Sequence, residues 1–380
     1  MEPIKALEVF FENRKAGTLA LTADRQAAFQ YTKEWISSGF SISPISLPLE
    51  KKVFYPKNDN FEGLFGVFDD SLPDGWGRLL TDRKLIKLGI DPGSITMLHR
   101  LALVGDNGKG ALQYRPGIEL ENTPVSMSFD EIAEECRQIM DSREAENLDE
   151  IYRLGGSSGG ARPKILKKID NEDWIVKFPS SRYDKTDAGL HEYRYNLCAQ
   201  RCGIEIPEVK LFPSELCSGY FGAKRFDRIK KAEETIRVHM LSAAALLEVS
   251  WQMPSLDYIT LMQLTMVLTH DFSELEKMYR LMCFNVFAHN QDDHAKNFSY
   301  LFQNGKWHLS PAYDLTFCNA YYGEHSTSVN GNGRNPDIDD LYAVAQKYNL
   351  SPNFYKPVTE MIRDYVNEDL ADIIGTKSKL

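Results

Sequence analysis

The chain has 380 residues, 43% of them hydrophobic and 26% charged, with a formal net charge of -10. This is the composition of a soluble globular protein with enough chain for two or three domains. It holds no apolar run of the ~18 residues that a membrane-crossing helix needs, and its acidic balance argues against nucleic acid as a direct ligand of this chain alone. Six scattered cysteines lack any Cys-x-x-Cys pair, and the start Met1-Glu2-Pro3-Ile4-Lys5 lacks signal-peptide character. The expectation is reduced thiols in a cytoplasmic protein.

Residues 1–120 read as a first module. Ala6 to Phe11 and Gly17 to Leu21 predict a strand pair around Glu12-Asn13-Arg14-Lys15, and Phe40 to Pro48, carrying Pro44 and Pro48, predicts an irregular or edge segment. Gly63 to Gly77 is rich in aromatic and turn residues, and a helix is expected from Arg78 to Leu88, stopped at Gly89. Leu101 to Val104 and Ala111 to Tyr114 are expected to pair as a hairpin across Gly105 to Gly110. No catalytic constellation stands out here, so the module reads as structural or as an interaction surface.

Residues 121–380 read as a second part, divided near 225. Pro116 to Asn147 forms the boundary and carries a helical pattern through Ile132, Ile139 and Met140, with Asp130 and Glu131 where a helix dipole favours them. Gly155-Gly156-Ser157-Ser158-Gly159-Gly160 puts four glycines and two serines in six residues, a backbone able to wrap closely round phosphate oxygens. It is neither a Walker loop nor a strict Gly-x-Gly-x-x-Gly, and alone it reads equally well as a linker. Lys164 to Ile169 predicts a strand, and Trp174-Ile175-Val176-Lys177-Phe178-Pro179 a second one with a lysine inside it. Such a lysine must pair or reach water; in a protein kinase it holds the α- and β-phosphates and pairs with a Glu of the next helix. That helix is expected over Leu190 to Cys202, with Leu190, Tyr193 and Leu197 as its apolar stripe and Glu192 off it. Pro207 to Leu211 and Gly219 to Arg225 are further strands, the second running into Lys224-Arg225-Phe226, where a kinase chain offers its backbone to adenine. The remainder to Asp271 reads as mainly helical. A helix is expected from Leu275 to Phe287, a polar segment from Ser326 to Asn335, helices to Ile374 and a frayed tail from Gly375.

Phe287-Ala288-His289-Asn290-Gln291-Asp292-Asp293-His294-Ala295-Lys296-Asn297 then stands out. Asp292 and Asn297 have the five-residue interval of a kinase catalytic loop, in which an Asp takes the acceptor hydroxyl proton and an Asn holds Mg²⁺. Phe298, Tyr300 and Phe302 alternate up to Asn304-Gly305, and Trp307 and Leu309 alternate away, which predicts a hairpin. It would return Asp314, seventeen residues after Asn297, to that residue's side. Two oxygen ligands meeting there suit a Mg²⁺ that is also held by nucleotide phosphates. The spacing alone also permits a polar loop of Asx turns. A metal-hydrolase set of His289, Asp292, Asp293 and His294 lacks the four-residue histidine interval and a third histidine.

Five blocks in order carry a family resemblance. They are Leu72-Pro73-Asp74-Gly75, the Ser/Gly loop, Val176-Lys177-Phe178-Pro179, Arg225-Phe226-Asp227-Arg228, and Asn290 to Asn297 followed by Tyr313-Asp314. They resemble the HipA family of bacterial serine/threonine kinases. The resemblance implies an α+β architecture: an N-terminal β-rich HipA-type module joined to a divergent protein-kinase-like two-lobed fold, with a mixed N-lobe and a helical C-lobe. By motif it makes Asp292 the catalytic base and Asn297 and Asp314 the Mg²⁺ ligands. Lys177 would hold phosphates, and Gly159, Gly160, Ala161, Arg162, Pro163 and Lys164 would cover ATP. Lys224, Arg225 and Phe226 would flank adenine, with His294, Ala295, Lys296, Asn297 and Tyr313 completing the nucleotide site. Ser157 aligns with an autophosphorylated loop serine, and the adjacent Ser158 is an equal chemical candidate. Arg162-Pro163 departs from the Gln-Glu pair frequent in the family. Members act as growth-arresting toxins, some of them phosphorylating aminoacyl-tRNA synthetases, so a protein substrate is implied. A separate HipB-like DNA-binding antitoxin is implied too, with DNA reached only through that partner. A small-molecule phosphotransferase on the same fold and a pseudokinase binding partner are the competing readings.

Overall fold

The computed structural model describes residues 1–122, 124–180, 184, 186–231, 234–319 and 323–377. Contacts divide the chain into two compact units: Met1–Gly189 with Leu211–Leu241 and Ala245–Glu248, and Leu190–Lys210 with Ser242–Ala244 and Val249–Leu380.

The first unit opens with a five-stranded antiparallel sheet. Its spatial order is Val53–Phe54, Ala27–Tyr31, Arg14–Leu21, Ala6–Phe11, Leu112–Arg115. The first hairpin is tighter than expected. Its second strand starts at Arg14, because Glu12 and Asn13 both take positive φ (47° and 62°) and complete the turn in two residues. The segment around Ser43–Leu47 is irregular, as its prolines require.

Two expectations fail in the N-terminal part of this unit. Leu101 to Val104 is the end of a helix, Met97–Val104, and Leu112–Arg115 pairs with the first strand. A capping box between Thr96 and His99 starts that helix, so local capping overrides a short apolar run that suits either structure. The helix expected from Arg78 begins earlier, as Gly75–Lys87. Leu148–Gly155 is a further helix that immediately precedes the serines.

A second sheet runs Lys164–Ile169, Glu172–Lys177, Tyr220–Lys224, and then the strand ending at Leu211 and Phe212. Asp170 and Asn171, at φ 52° and 63°, turn its first hairpin. Below it lies one core made of Trp76, Leu80, Ile132, Cys136, Ile139, Ile151, Ile165, Trp174 and Val176. Trp76 and Leu80 thus share a core with the sheet that carries Lys177. The stretch after Arg225 is not mainly helical at first: Arg228–Lys231 and Glu234–Arg237 pair as an antiparallel ribbon.

The second unit is mostly helical. Tyr258–Thr269, Phe272–Phe287, Ile338–Lys347 and Pro352–Lys377 surround the hairpin Ser299–Gln303/Lys306–Leu309. Asn304 and Gly305, at φ 51° and 77°, form the expected turn. Within the helix Ala188–Arg201, Tyr195, Asn196, Cys198 and Ala199 are buried whereas Leu197 is 42% exposed. The expected apolar stripe therefore faces the wrong way, and Glu192, 3% exposed, lies on the buried side. Arg194 holds Asp372 through two bonds of 2.7 and 2.8 Å, and Arg201 holds Glu368 and Asp369, so polar contacts to the last helix fix this face in place of leucines. The expected frayed tail lies partly in 378–380, outside the described residues; Gly375 and the two residues after it continue the helix. No helix among the described residues is long and apolar enough to cross a membrane.

Candidate functional site

In the first unit the Ser/Gly loop leaves the helix Leu148–Gly155 and enters the strand Lys164–Ile169. Gly160 has φ 80°, and a Cβ there would meet Lys164 Nζ at 2.5 Å, so the loop's path requires glycine. Lys164 is 8% exposed and donates to the Gly159 carbonyl at 2.6 Å. Directly across the ladder stands Lys177, over the Phe221 ring at 5.7 Å. Like charges opposed in one pair destabilise a sheet. These two lysines, opposite each other where the glycine loop enters the sheet, are residues that could hold a polyanion.

The other predicted contacts of this unit are placed as follows. Arg162 pairs with Asp184 at 3.1 Å, and Pro163 is buried at the strand entry. Lys224 pairs with Glu172 at 3.1 Å. The Arg225 guanidinium is committed to Asp227 at 2.7 and 2.9 Å, Arg228 reaches the same carboxylate at 2.8 Å, and the Gly110 N–H donates to it at 2.9 Å. Burial alone would raise the Asp227 carboxyl, yet Arg225 and then Arg228 hold it well below the usual carboxylate range. Burial also pulls the Arg228 guanidinium down to about 9. The Arg-Phe-Asp-Arg block is thus a buried ionic knot that ties the loop at Gly108–Gly110 to the strand end.

The two loop serines differ. Ser158 is 5% exposed and its hydroxyl donates to the Gly155 carbonyl at 2.6 Å, whereas Ser157 is half-buried.

In the second unit the catalytic-loop candidates follow the helix Phe272–Phe287. Asp292 and Asp293 have opposite environments. The Asp292 side chain is 43% exposed, with His294 Nε2 at 3.8 Å. Asp293 is 1% exposed and accepts from Tyr258 Oη at 2.9 Å and from the Thr327 N–H at 3.1 Å, with His325 Nδ1 at 3.0 Å. Asn285 extends the chain, donating to Tyr258 Oη at 2.9 Å and accepting from Asn290 Nδ2 at 3.0 Å. Burial, and then the Asp293 charge, push the Tyr258 hydroxyl well up, so it stays protonated and donates.

Asn297 Nδ2 donates to the Asp292 carbonyl at 2.7 Å. With Nδ2 so used, Oδ1 is the oxygen of this side chain that could hold a Mg²⁺. Lys296 N–H donates to His294 Nδ1 at 3.2 Å across the turn Ala295–Asn297, and Ala295 is buried beneath it. The hairpin returns the chain as expected: Tyr313 Oη donates to the Lys296 carbonyl at 2.5 Å and lies 2.6 Å from Ser299 Oγ. The next residue, Asp314, has φ 57°, a left-handed backbone unusual for a side-chain-bearing residue and concentrated at functional positions. The four-residue set of a metal hydrolase is dispersed, with Asp293 inside the network and His289 beside Phe317 at 6.5 Å.

Sequence reasoning missed Tyr258, His325 and Thr327, which hold Asp293 from 32 to 35 residues away, and Asn285, which bonds to Tyr258 and Asn290. No local pattern marks them. It also missed how Asp74 to Gly77 touch the Ser/Gly loop, although that block was conspicuous for its turn residues.

The HipA N-terminal domain matches residues 7–115, and the HipA-like C-terminal domain matches residues 156–370. The chain belongs to the HipA family. A protein named "Putative kinase Y4mE" from Sinorhizobium fredii (strain NBRC 101917 / NGR234) is 25% identical over 349 residues, covering 84% of this chain and 78% of that one. The solved HipA of Shewanella oneidensis MR-1, in a complex with HipB and its operator DNA, superposes with a TM-score of 0.70 at 20% identity, covering 97% of this chain and 90% of that one. The HipA fold is therefore this chain's fold: a kinase-like mixed α/β body with an N-terminal β-rich module.

Proposed function

We propose that this HipA-family chain is an ATP- and Mg²⁺-dependent serine/threonine protein kinase. The observation that carries the reading is the contrast between adjacent aspartates. One is buried and fully engaged as structure; the other is 43% exposed, five residues before an Asn that bonds to its backbone carbonyl. A general base needs that combination of exposure and fixed position. ATP supplies the phosphoryl group, and Mg²⁺ neutralises its charge. Asn297 and Asp314 are the metal's oxygen ligands. Lys177 and Gly159 to Lys164 receive phosphates. Lys224 to Phe226, His294 to Asn297 and Tyr313 line the nucleotide. Asp292 takes the proton from the acceptor hydroxyl. The substrate class is a cellular protein, an aminoacyl-tRNA synthetase being the first to assay.

The same reading makes the loop a substrate of its own enzyme. Ser157 is the expected acceptor, because the Ser158 hydroxyl is buried against Gly155. A phosphate there adds about -1.5 to -2 charge where ATP brings its own, and so lowers ATP affinity. Intact-mass analysis after incubation with ATP and Mg²⁺ should show one phosphate. Ser157→Ala should remove most of it, and Ser158→Ala should retain it. Phosphate found only outside residues 155–160 would sink this regulation, and transfer only to a small molecule would replace protein kinase activity with the competing phosphotransferase reading.

A HipB-like DNA-binding partner also follows from this reading, and the net charge of -10 suits a basic one. Co-expression and pull-down with a HipB-like protein encoded beside the gene should recover a complex that also retains operator DNA. A chain that captures no such protein and is harmless to its host counts against the toxin role.

A further inference from the structure

The segment Asp74 to Gly77 belongs to the N-terminal module by sequence, yet its polar groups are spent on the Ser/Gly loop. Asp74 stands at the N-cap of the helix Gly75–Lys87, where an aspartate ordinarily accepts from its own helix. Here its side chain makes no cap bond. Its carboxylate accepts instead from the Gly160 N–H, 86 residues away. The next links run along the same two segments. Trp76 N–H donates to the Gly160 carbonyl at 2.9 Å, and the Trp76 indole Nε1–H donates to the Lys164 carbonyl at 3.0 Å.

Sterics agree with the polar contacts. A Cβ on Gly75 would stand 2.6 Å from the Gly160 carbonyl oxygen, and a Cβ on Gly77 would collide with that of Ser158. Glycine is a poor opening for a helix, and both glycines sit in this one's first turn. The loop's backbone lies too close for any other residue. Trp76 itself is 1% exposed in the core beneath the Lys177 sheet, so the clamp rests on a rigid base.

From this we infer that Asp74, Trp76 and Gly77 are positioning residues of the nucleotide site: the N-terminal module clamps the Ser/Gly loop in one conformation. This rests on the kinase reading above for its ligand. Both backbone polar groups of Gly160 are held before any nucleotide arrives. The entropy of ordering a glycine-rich loop is then met in folding and does not weaken ATP binding. The same contacts must break for the loop to open.

The test uses the full chain and two measurements. Amide exchange in peptides covering Gly155 to Lys164 reports the clamp without nucleotide, and calorimetry with Mg²⁺-ATP reports affinity. Asp74→Ala should speed loop exchange roughly tenfold to a hundredfold, the usual worth of a charge-assisted hydrogen bond. It should weaken Mg²⁺-ATP binding by about tenfold, raising KM for ATP with kcat within about threefold of wild type. Asp74→Asn, which keeps an oxygen acceptor, should restore most of both. Gly77→Ala should weaken ATP binding, because its Cβ displaces the Ser158 backbone of the loop. Unchanged loop exchange in Asp74→Ala, or ATP bound as tightly or more tightly, overturns the inference. Equal loss of protection in Asp74→Ala and Asp74→Asn, spread over the whole unit, also overturns it by making Asp74 merely structural. A wild-type chain that binds no Mg²⁺-ATP defeats the kinase reading and the nucleotide role of the clamp together, while loop exchange in Asp74→Ala still decides whether the module holds the loop.

Discussion

Asp292→Ala is expected to lower phosphoryl transfer by roughly 10²–10⁴, the range a general base contributes, while leaving the melting temperature unchanged. The side chain is 43% exposed, with His294 Nε2 at 3.8 Å, so its removal opens no cavity. The loop's shape does not depend on that carboxylate, because Asn297 bonds to the Asp292 backbone carbonyl. Single-turnover transfer from ATP to the loop serine or to a protein substrate is the measurement to make, with Mg²⁺-ATP affinity alongside. The expected pattern is a large fall in rate with little change in affinity. Transfer at the wild-type rate in Asp292→Ala would end the assignment of this residue as base.

Asp293→Ala, one residue along, should do the reverse. Its carboxylate is the common acceptor for Tyr258 Oη and the Thr327 N–H, and it lies 3.0 Å from His325 Nδ1, all inside the second unit. Truncation leaves those buried polar groups without their acceptor and breaks the chain that runs on through Asn285 to Asn290. Unsatisfied buried groups of this kind are worth about 1–3 kcal/mol each, and the expected loss is roughly 3–5 kcal/mol. Against a total of about 5–15 kcal/mol, that leaves a marginal fold. A fall of roughly 10 °C in Tm should accompany it. Activity should drop too, as a consequence of a displaced loop. Asp293→Asn keeps the shape and one acceptor oxygen and should lose less than the alanine variant. A Tm within about 2 °C of wild type for Asp293→Ala would show that the network does not hold the loop.

The contrast between these neighbours shows where local sequence stops being informative. Asp292 and Asp293 are the same residue type in the same loop, and spacing to Asn297 picks out the first only by counting. Their difference is made by residues 32 to 35 positions away, which bury the Asp293 carboxylate while that of Asp292 stays 43% exposed.

Elements whose cause is local were readable from the residues. Asn304-Gly305 makes a hairpin because both residues tolerate positive φ, and alternation on either side sets its faces. The lysine inside Trp174 to Phe178 and the glycines before Lys164 were equally plain, since a charge in an apolar strand and a run of glycine each need a reason within a few residues. The five ordered blocks pointed to the HipA family for the same cause: each is a short contiguous motif.

What depended on distant partners was not readable. Leu101 to Val104 suits helix or strand, and the choice fell to a cap at Thr96, while Leu112–Arg115 pairs with Ala6–Phe11. The helix Ala188–Arg201 hides Glu192 and exposes Leu197 because the carboxylates of the last helix, 167 to 178 residues on, hold Arg194 and Arg201. Gly75-Trp76-Gly77 enters a helix only where Gly160 takes its polar groups. Turn chemistry and periodicity act over the few residues that one stretch of backbone can reach. Which side chain is buried, which carboxylate stays partly exposed and which distant segment meets the loop are set by contacts that exist only once the chain has folded.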